Sequence, residues 1–305
     1  MAEESAKVVY VALAGNVLVA FAKFGAAFVS GSSAMLTEAI HSSADTANQI
    51  LLLIGNKRSR ARPDSSHAFG YGMEVYFWTF VVAVIVLLAG GVASIYEGVL
   101  QLASPEPIKS PGVSFGVLAL SALFEGSSFA VGYRAYKRRV HGRKLKGRRV
   151  GMWRFIRLSK DPNLYETLLE DSAALIGIGL ATLGVGASVY LNAPWADGAA
   201  SIAIGLLLIG NSLVIAEATR SLIAGETVVS SLLDDIRREL KARSHRLTVS
   251  EIKTLHLGPR TILIALTIAM DQSGTVAEVR RELRDITKRV RSLDARIAFV
   301  YLRFE

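Results

Sequence analysis

His41 and Asp45 lie four residues apart in a stretch, 33–55, that is otherwise apolar enough to cross a membrane. An ionisable side chain in hydrocarbon is costly unless it is paired, hydrated or bound to an ion. On a helix, Glu38, His41, Asp45 and Gln49 fall within an arc of roughly 80° and make one polar face on an apolar rod. An imidazole and a carboxylate at i, i+4 can grip one divalent cation. The alternative is a helix lining a water-filled crevice without metal. Because intramembrane charges are functional by default, the spacing favours metal or proton handling. His41 and Asp45 are the candidate ligands, and Glu38 and Gln49 are candidates for proton or ion coupling.

A second group lies in 165–172, Tyr-Glu-Thr-Leu-Leu-Glu-Asp-Ser. Thr167 and Asp171 share one helix face, as do Glu166 and Glu170. Glu170 and Asp171 point about 100° apart, so one helix does not easily aim both at a single ion. Asp171 is the deeper of the carboxylates, and Glu166 reads as a solvated charge at the membrane surface. Glu125, in the middle of another apolar segment, is either a further coupling candidate or a polar packing contact. Asn16 and Lys23, seven apart, share a face, with Lys23 expected only to snorkel. In the polar loop 64–76, Asp64 and His67 are three apart and form a possible metal pair. Gly70 and Gly72 there allow a tight approach to the next helix.

These residues need a membrane frame to position them. Of the 305 residues, 51% are hydrophobic. That hydrophobicity is concentrated before residue 225. The chain therefore divides into a membrane domain, 1–225, and a soluble tail, 226–305. Six apolar segments reach the roughly 20 residues a span needs: about 8–30, 33–55, 76–101, 112–136, 164–191 and 195–218. With no cysteine and five histidines, any metal must be held by His, Asp, Glu and other oxygen donors. The net charge of +9 is uneven, since residues 134–160 hold twelve Lys or Arg and no Asp or Glu. Between spans, such a run (137–160 in the loop itself) reads as a cytoplasmic loop beside anionic lipid rather than a nucleic-acid site. The basic connection 56–75 agrees, which puts both termini in the cytoplasm. No cleavable leader is visible before the first span.

In the tail, 229–243 and 275–292 carry amphipathic helical spacing. Residues 247–256, 260–270 and 296–304 read as strands, with Gly258-Pro259 as a turn. The order α-β-β-α-β suits a ferredoxin-like domain.

Six spans, His41-x-x-x-Asp45 on the second, the loop 67–74 (His-Ala-Phe-Gly-Tyr-Gly-Met-Glu) and Asp197-Gly opening the sixth resemble the cation diffusion facilitator family. The resemblance covers nearly the whole chain. The stretches 168–175 and 71–78 are most similar to the branch that contains the human zinc transporter 9 and its bacterial relatives. The resemblance implies a homodimer in a bacterial-type inner membrane that exports divalent metal, zinc foremost, in exchange for protons. No prosthetic group is implied. It also implies a tetrahedral site between the second and fifth spans, with His41 and Asp45 on one side. Its fifth-span half is usually His-x-x-x-Asp, and that register here gives Thr167 and Asp171. The missing imidazole shifts preference toward manganese, iron, cobalt or magnesium, and Glu170 is the candidate replacement ligand. Relatives' tails often carry a histidine-rich zinc cluster. This tail offers His245, His256 and Asp271, with His256 read as a strand residue, so it is expected to dimerise without metal.

The reading is a proton-coupled divalent cation antiporter. Its rival from another class is a membrane-tethered regulatory protein with a vestigial polar stripe. No nucleophile arrangement supports an enzyme.

Overall fold

The computed structural model describes residues 2–140, 144–145, 148–149, 162–241, 247–270 and 275–305. His141, His245, Asp271 and most of the basic loop expected to meet lipid lie outside them. The chain forms two compact units: Met1–Gly55 with Trp78–Thr219, and Asn56–Phe77 with Arg220–Glu305.

The first unit is helical. Its long helices are α1 (Ala2–Ser30), α2 (Ser33–Arg58), α3 (Glu74–Ala103), α4 (Pro111–Val140), α5 (Pro162–Tyr190) and α6 (Trp195–Ile223). The ends of α2, α3 and α6 run into the second unit. Prolines open α4 and α5, where the missing N–H is not needed by the helix. Between α4 and α5, Lys144–Leu145 (β1) and Arg148–Arg149 (β2) form a short antiparallel pair. Among the described residues, α3, α4, α5 and α6 are long and apolar enough to cross a membrane. In α1 the apolar part is Gly15–Ser30. The polar face of α2 lowers its hydropathy, the reason it stands apart from those four.

Small residues set the helix spacing. A methyl group added at Gly98 of α3 would lie 2.6 Å from the Gly198 carbonyl of α6, and one at Gly205 would lie 2.8 Å from the Gly91 carbonyl. Glycines seven apart on both helices therefore bring the two backbones together, a common solution where hydrocarbon gives no hydrophobic drive for helix association. Residues Val86–Val92 of α3, which include Gly90 and Gly91, are π-helical. Alongside, α4 packs on α5 and on α1. Phe21, Phe28 and Leu123 are among the large apolar side chains left on the surface, as expected of a surface facing lipid.

The second unit holds α7 (Ser230–Lys241), β3 (Leu247–Gly258), β4 (Thr261–Met270), α8 (Val276–Leu293) and β5 (Ile297–Phe304). The α-β-β-α-β order follows the sequence pattern. The sheet order is β3-β4-β5, with β3 antiparallel and β5 parallel to β4. Parallel pairing needs a crossover, which α8 supplies. Its start is fixed by a capping box between Thr275 and Glu278. Ile262, Ile264, Leu266 and Ile268 alternate inward from β4 and bury with Leu232, Ile236, Ile286 and Val290 of the two helices. His256 is a buried strand residue opposite Ile262. The segment between α2 and α3 belongs to this unit. Phe69 sets its ring edge-on to Phe299 at 5.3 Å and to Tyr301 at 6.2 Å. Gly72 meets Leu257 and Gly258 so closely that a methyl there would collide with the Leu257 carbonyl.

Candidate metal centre

The centre begins at the turn between α1 and α2, where Gly31 adopts φ +68°. Asp197, buried in the first turn of α6, caps the start of α2. Its Oδ2 accepts from the Ser33 N–H at 2.6 Å, the Ala34 N–H at 3.3 Å and the Ser33 hydroxyl at 3.0 Å, while Oδ1 accepts from the Ser32 hydroxyl at 2.7 Å. A carboxylate there satisfies free N–H groups and complements the helix dipole. This anchors the helix that carries the polar face.

Lys23 of α1 does not snorkel. It is 0% exposed, and its Nζ donates to Glu38 Oε2 at 3.0 Å and to Ser42 Oγ at 2.7 Å. Burial between helices leaves its ammonium no route to water, so it pairs inside. The other Glu38 oxygen lies against α5, where a methyl added at Gly177 would come within 2.6 Å of it. One turn along α2, His41 is buried and its Nδ1 is 3.5 Å from Asp45 Oδ1. The next turn supplies a residue that the sequence reading passed over. Asn48, not Gln49, is fully buried, and its Nδ2 donates to Glu170 Oε1 of α5 at 2.6 Å. Gln49 is only part-buried. The spacing 41-45-48 is itself a helical stripe and was the available signal.

On α5, Asp171 accepts from Ser128 Oγ of α4 at 2.9 Å. Glu125 lies one turn before Ser128 on the same side of α4 and is part-buried, which sets it beside the same polar interior. Thr167 is half-buried, with its methyl toward Gly132 of α4. Glu166 is not a solvated surface charge. It is 0% exposed, because α5 is packed on its neighbours at this level.

The structure thus gathers Glu38, His41, Asp45, Glu125, Glu170 and Asp171 into one seam among α2, α4 and α5. Among the described residues, no three His, Asp or Glu side chains converge as a ready-made metal cage. Three of the carboxylates are instead held by a neutral or cationic partner: Asp171 by Ser128, Glu170 by Asn48, Glu38 by Lys23. A cation drawn by two ligands must displace those partners to recruit the rest.

Asp64 and His67 lie in the second unit, and each is about half exposed. Asp64 Oδ1 accepts from the Ser66 and His67 N–H groups at 2.9 and 2.8 Å, and Oδ2 accepts from the Tyr71 hydroxyl at 2.7 Å. His67 Nδ1 is 3.8 Å from Asp64, and its ring lies 4.0 Å from that of Tyr71. The carboxylate organises the turn. The Tyr71 hydrogen bond, then the His67 N–H, holds its pKa below the usual range, and the same bond raises that of Tyr71.

Residues 9–224 match the family model described as the cation efflux transmembrane domain, and the chain belongs to that family, one of transporters rather than enzymes. It is 35% identical over 202 residues to the human proton-coupled zinc antiporter SLC30A9, mitochondrial, covering 66% of this chain and 35% of that protein. It is 29% identical over 259 residues to metal tolerance protein C4 of Arabidopsis thaliana, covering 84% and 55%. It is 23% identical over 290 residues to the manganese efflux system protein MneP of Bacillus subtilis, covering 93% and 91%. The chain therefore spans about a third of the human relative and about half of the plant one.

Proposed function

We propose that this membrane protein is a proton-coupled antiporter that moves a divalent cation, zinc foremost, out of the cytoplasm by alternating access. His41, Asp45 and Asp171 carry the cation, with the Thr167 hydroxyl in the fourth position and Glu170 turned away to Asn48. The observation that carries this reading is the buried His41–Asp45 pair, 3.5 Å apart, on the helix stripe whose Asn48 bonds Glu170 of α5. The names of the human and Arabidopsis relatives support metal as the cargo.

The protein works by exchanging protons for the ion. An imidazole and carboxylates must be deprotonated to coordinate metal. Cytoplasmic loading therefore releases protons, and protonation from the other side expels the metal. Helix rocking about the seam exposes it alternately. In this reading α1 and α2 complete six spans with the four apolar helices, and both termini are cytoplasmic. The tail is a ferredoxin-like dimerisation domain, and the basic loop meets anionic lipid.

A second reading makes manganese or another oxygen-preferring cation the cargo. It is favoured by Thr167, which leaves one imidazole among oxygen donors, and by the name of the Bacillus relative. Asp45→Asn in the purified, reconstituted protein tests the common core. Metal flux should fall at least about tenfold with folding retained. Wild-type flux in that variant would remove Asp45 from the pathway.

A further inference from the structure

Glu166 opens the acidic stretch of α5, and both of its carboxylate oxygens are buried without a hydrogen-bond partner. The side chain is 0% exposed. Asp45 and Asp171, both acidic, act on it as like charges, and the Glu170 carboxyl is near enough to contest a proton with it. Glu170, one turn along, meets only acidic charges as well. Its hydrogen bond comes from the Asn48 amide at 2.6 Å, and that amide leaves its own carbonyl, Oδ1, buried without a donor. The orphaned atoms of these residues, both Glu166 oxygens and the Asn48 Oδ1, are all acceptors. Buried acceptors without donors are costly. Lys23 does not answer them, since its ammonium is bound to Glu38 and Ser42.

We propose that Glu166, Glu170 and the Asn48 carbonyl form a second cation site, separate from His41, Asp45 and Asp171. Two carboxylates and an amide carbonyl are hard oxygen donors. Such a set suits a partly hydrated divalent ion of the manganese or magnesium type, which keeps several waters and takes one or two carboxylates. Zinc gains less here, because the site offers no nitrogen or sulfur. The set needs no third carboxylate, so it is compatible with the absence of a three-acid cage. Its place on the α2–α5 seam makes it a holding site beside the cargo residues. It does not depend on which metal those residues carry.

The test is manganese binding to the full-length protein in detergent, followed by the loss of the free-ion electron paramagnetic resonance signal. Wild type should bind one more manganese ion per chain than Glu166→Gln does. Asp171→Asn should keep that additional ion, and the double variant should bind none. Glu170→Gln gives the same reading if Glu166→Gln does not elute as a folded species. Equal stoichiometry and affinity in wild type and both glutamine variants would overturn the second site and show an acid pair sharing protons. Loss of all binding in both Glu166→Gln and Asp171→Asn would overturn it too, by merging Glu166 with the cargo site. Failure of the transport reading looks different: Asp171→Asn would then keep the wild-type stoichiometry, and Glu166→Gln would still lose an ion.

Discussion

Lys23 of α1 and Glu38 of α2 form an ion pair 3.0 Å long with both side chains excluded from solvent. Removing one partner of a buried pair strands the other charge, which costs about 3–5 kcal/mol. Lys23→Met should therefore lower the detergent melting temperature markedly. Lys23→Met with Glu38→Met should recover most of the loss, since apolar replacement of a whole buried pair is often neutral. A single variant that melts like wild type would show that the pair is not held in solution.

The loop charges make a topology prediction. Single cysteines at Ser59 and Ser110, in this cysteine-free chain, should react with an impermeant reagent from opposite sides of the membrane. Labelling from the same side would rule out six spans.

Thr167→His should rebuild two imidazoles and two carboxylates around the cargo. Imidazole binds zinc better than a hydroxyl does, so zinc affinity and zinc-over-manganese selectivity should both rise. The added histidine must lose a proton to bind, so affinity should steepen with pH near its ordinary pKa of about 6.5. Competitive binding at two pH values reads this out. Unchanged zinc binding in a folded variant would mean that residue 167 does not face the ion, leaving Glu170 as the better fourth ligand.

Tyr71 donates to Asp64 at 2.7 Å and holds its carboxyl below the usual range. A carboxyl with a lowered folded pKa stabilises the turn above its unfolded value, about 3.9. That contribution disappears as pH falls through the folded value. The turn should thus be indifferent to pH near neutrality and loosen only in acid. Tyr71→Phe should move the Asp64 titration upward, as followed by carbon-13 resonances of labelled aspartate. An unmoved titration would show that the hydroxyl does not bond Asp64.

Much of this was written in local pattern. Leu232 and Ile236 of α7, and Ile262 to Ile268 of β4, announce their elements because period and burial coincide there. His41 and Asp45 stand out because charge is rare in apolar sequence. Lys23 and Glu166 escape local pattern for a shared reason. Whether a charge near a span's end reaches water depends on which helix covers it, and that is a tertiary fact. Asn48 is neutral and sits beside another amide, so only its partner across the seam, Glu170, singles it out. The π-helical turn at Val86–Val92 belongs to the backbone approach of α3 to α6, which the glycines permit but do not spell out.

The most direct measurement records zinc and proton movement together in proteoliposomes of the full-length protein, with zinc supplied on the side of the tail. Zinc uptake should release protons from the lumen, speed up when the lumen is acidified, and stop in Asp171→Asn. Zinc movement that ignores an imposed pH gradient, or that persists at the wild-type rate in Asp171→Asn, would contradict proton-coupled carriage on this seam.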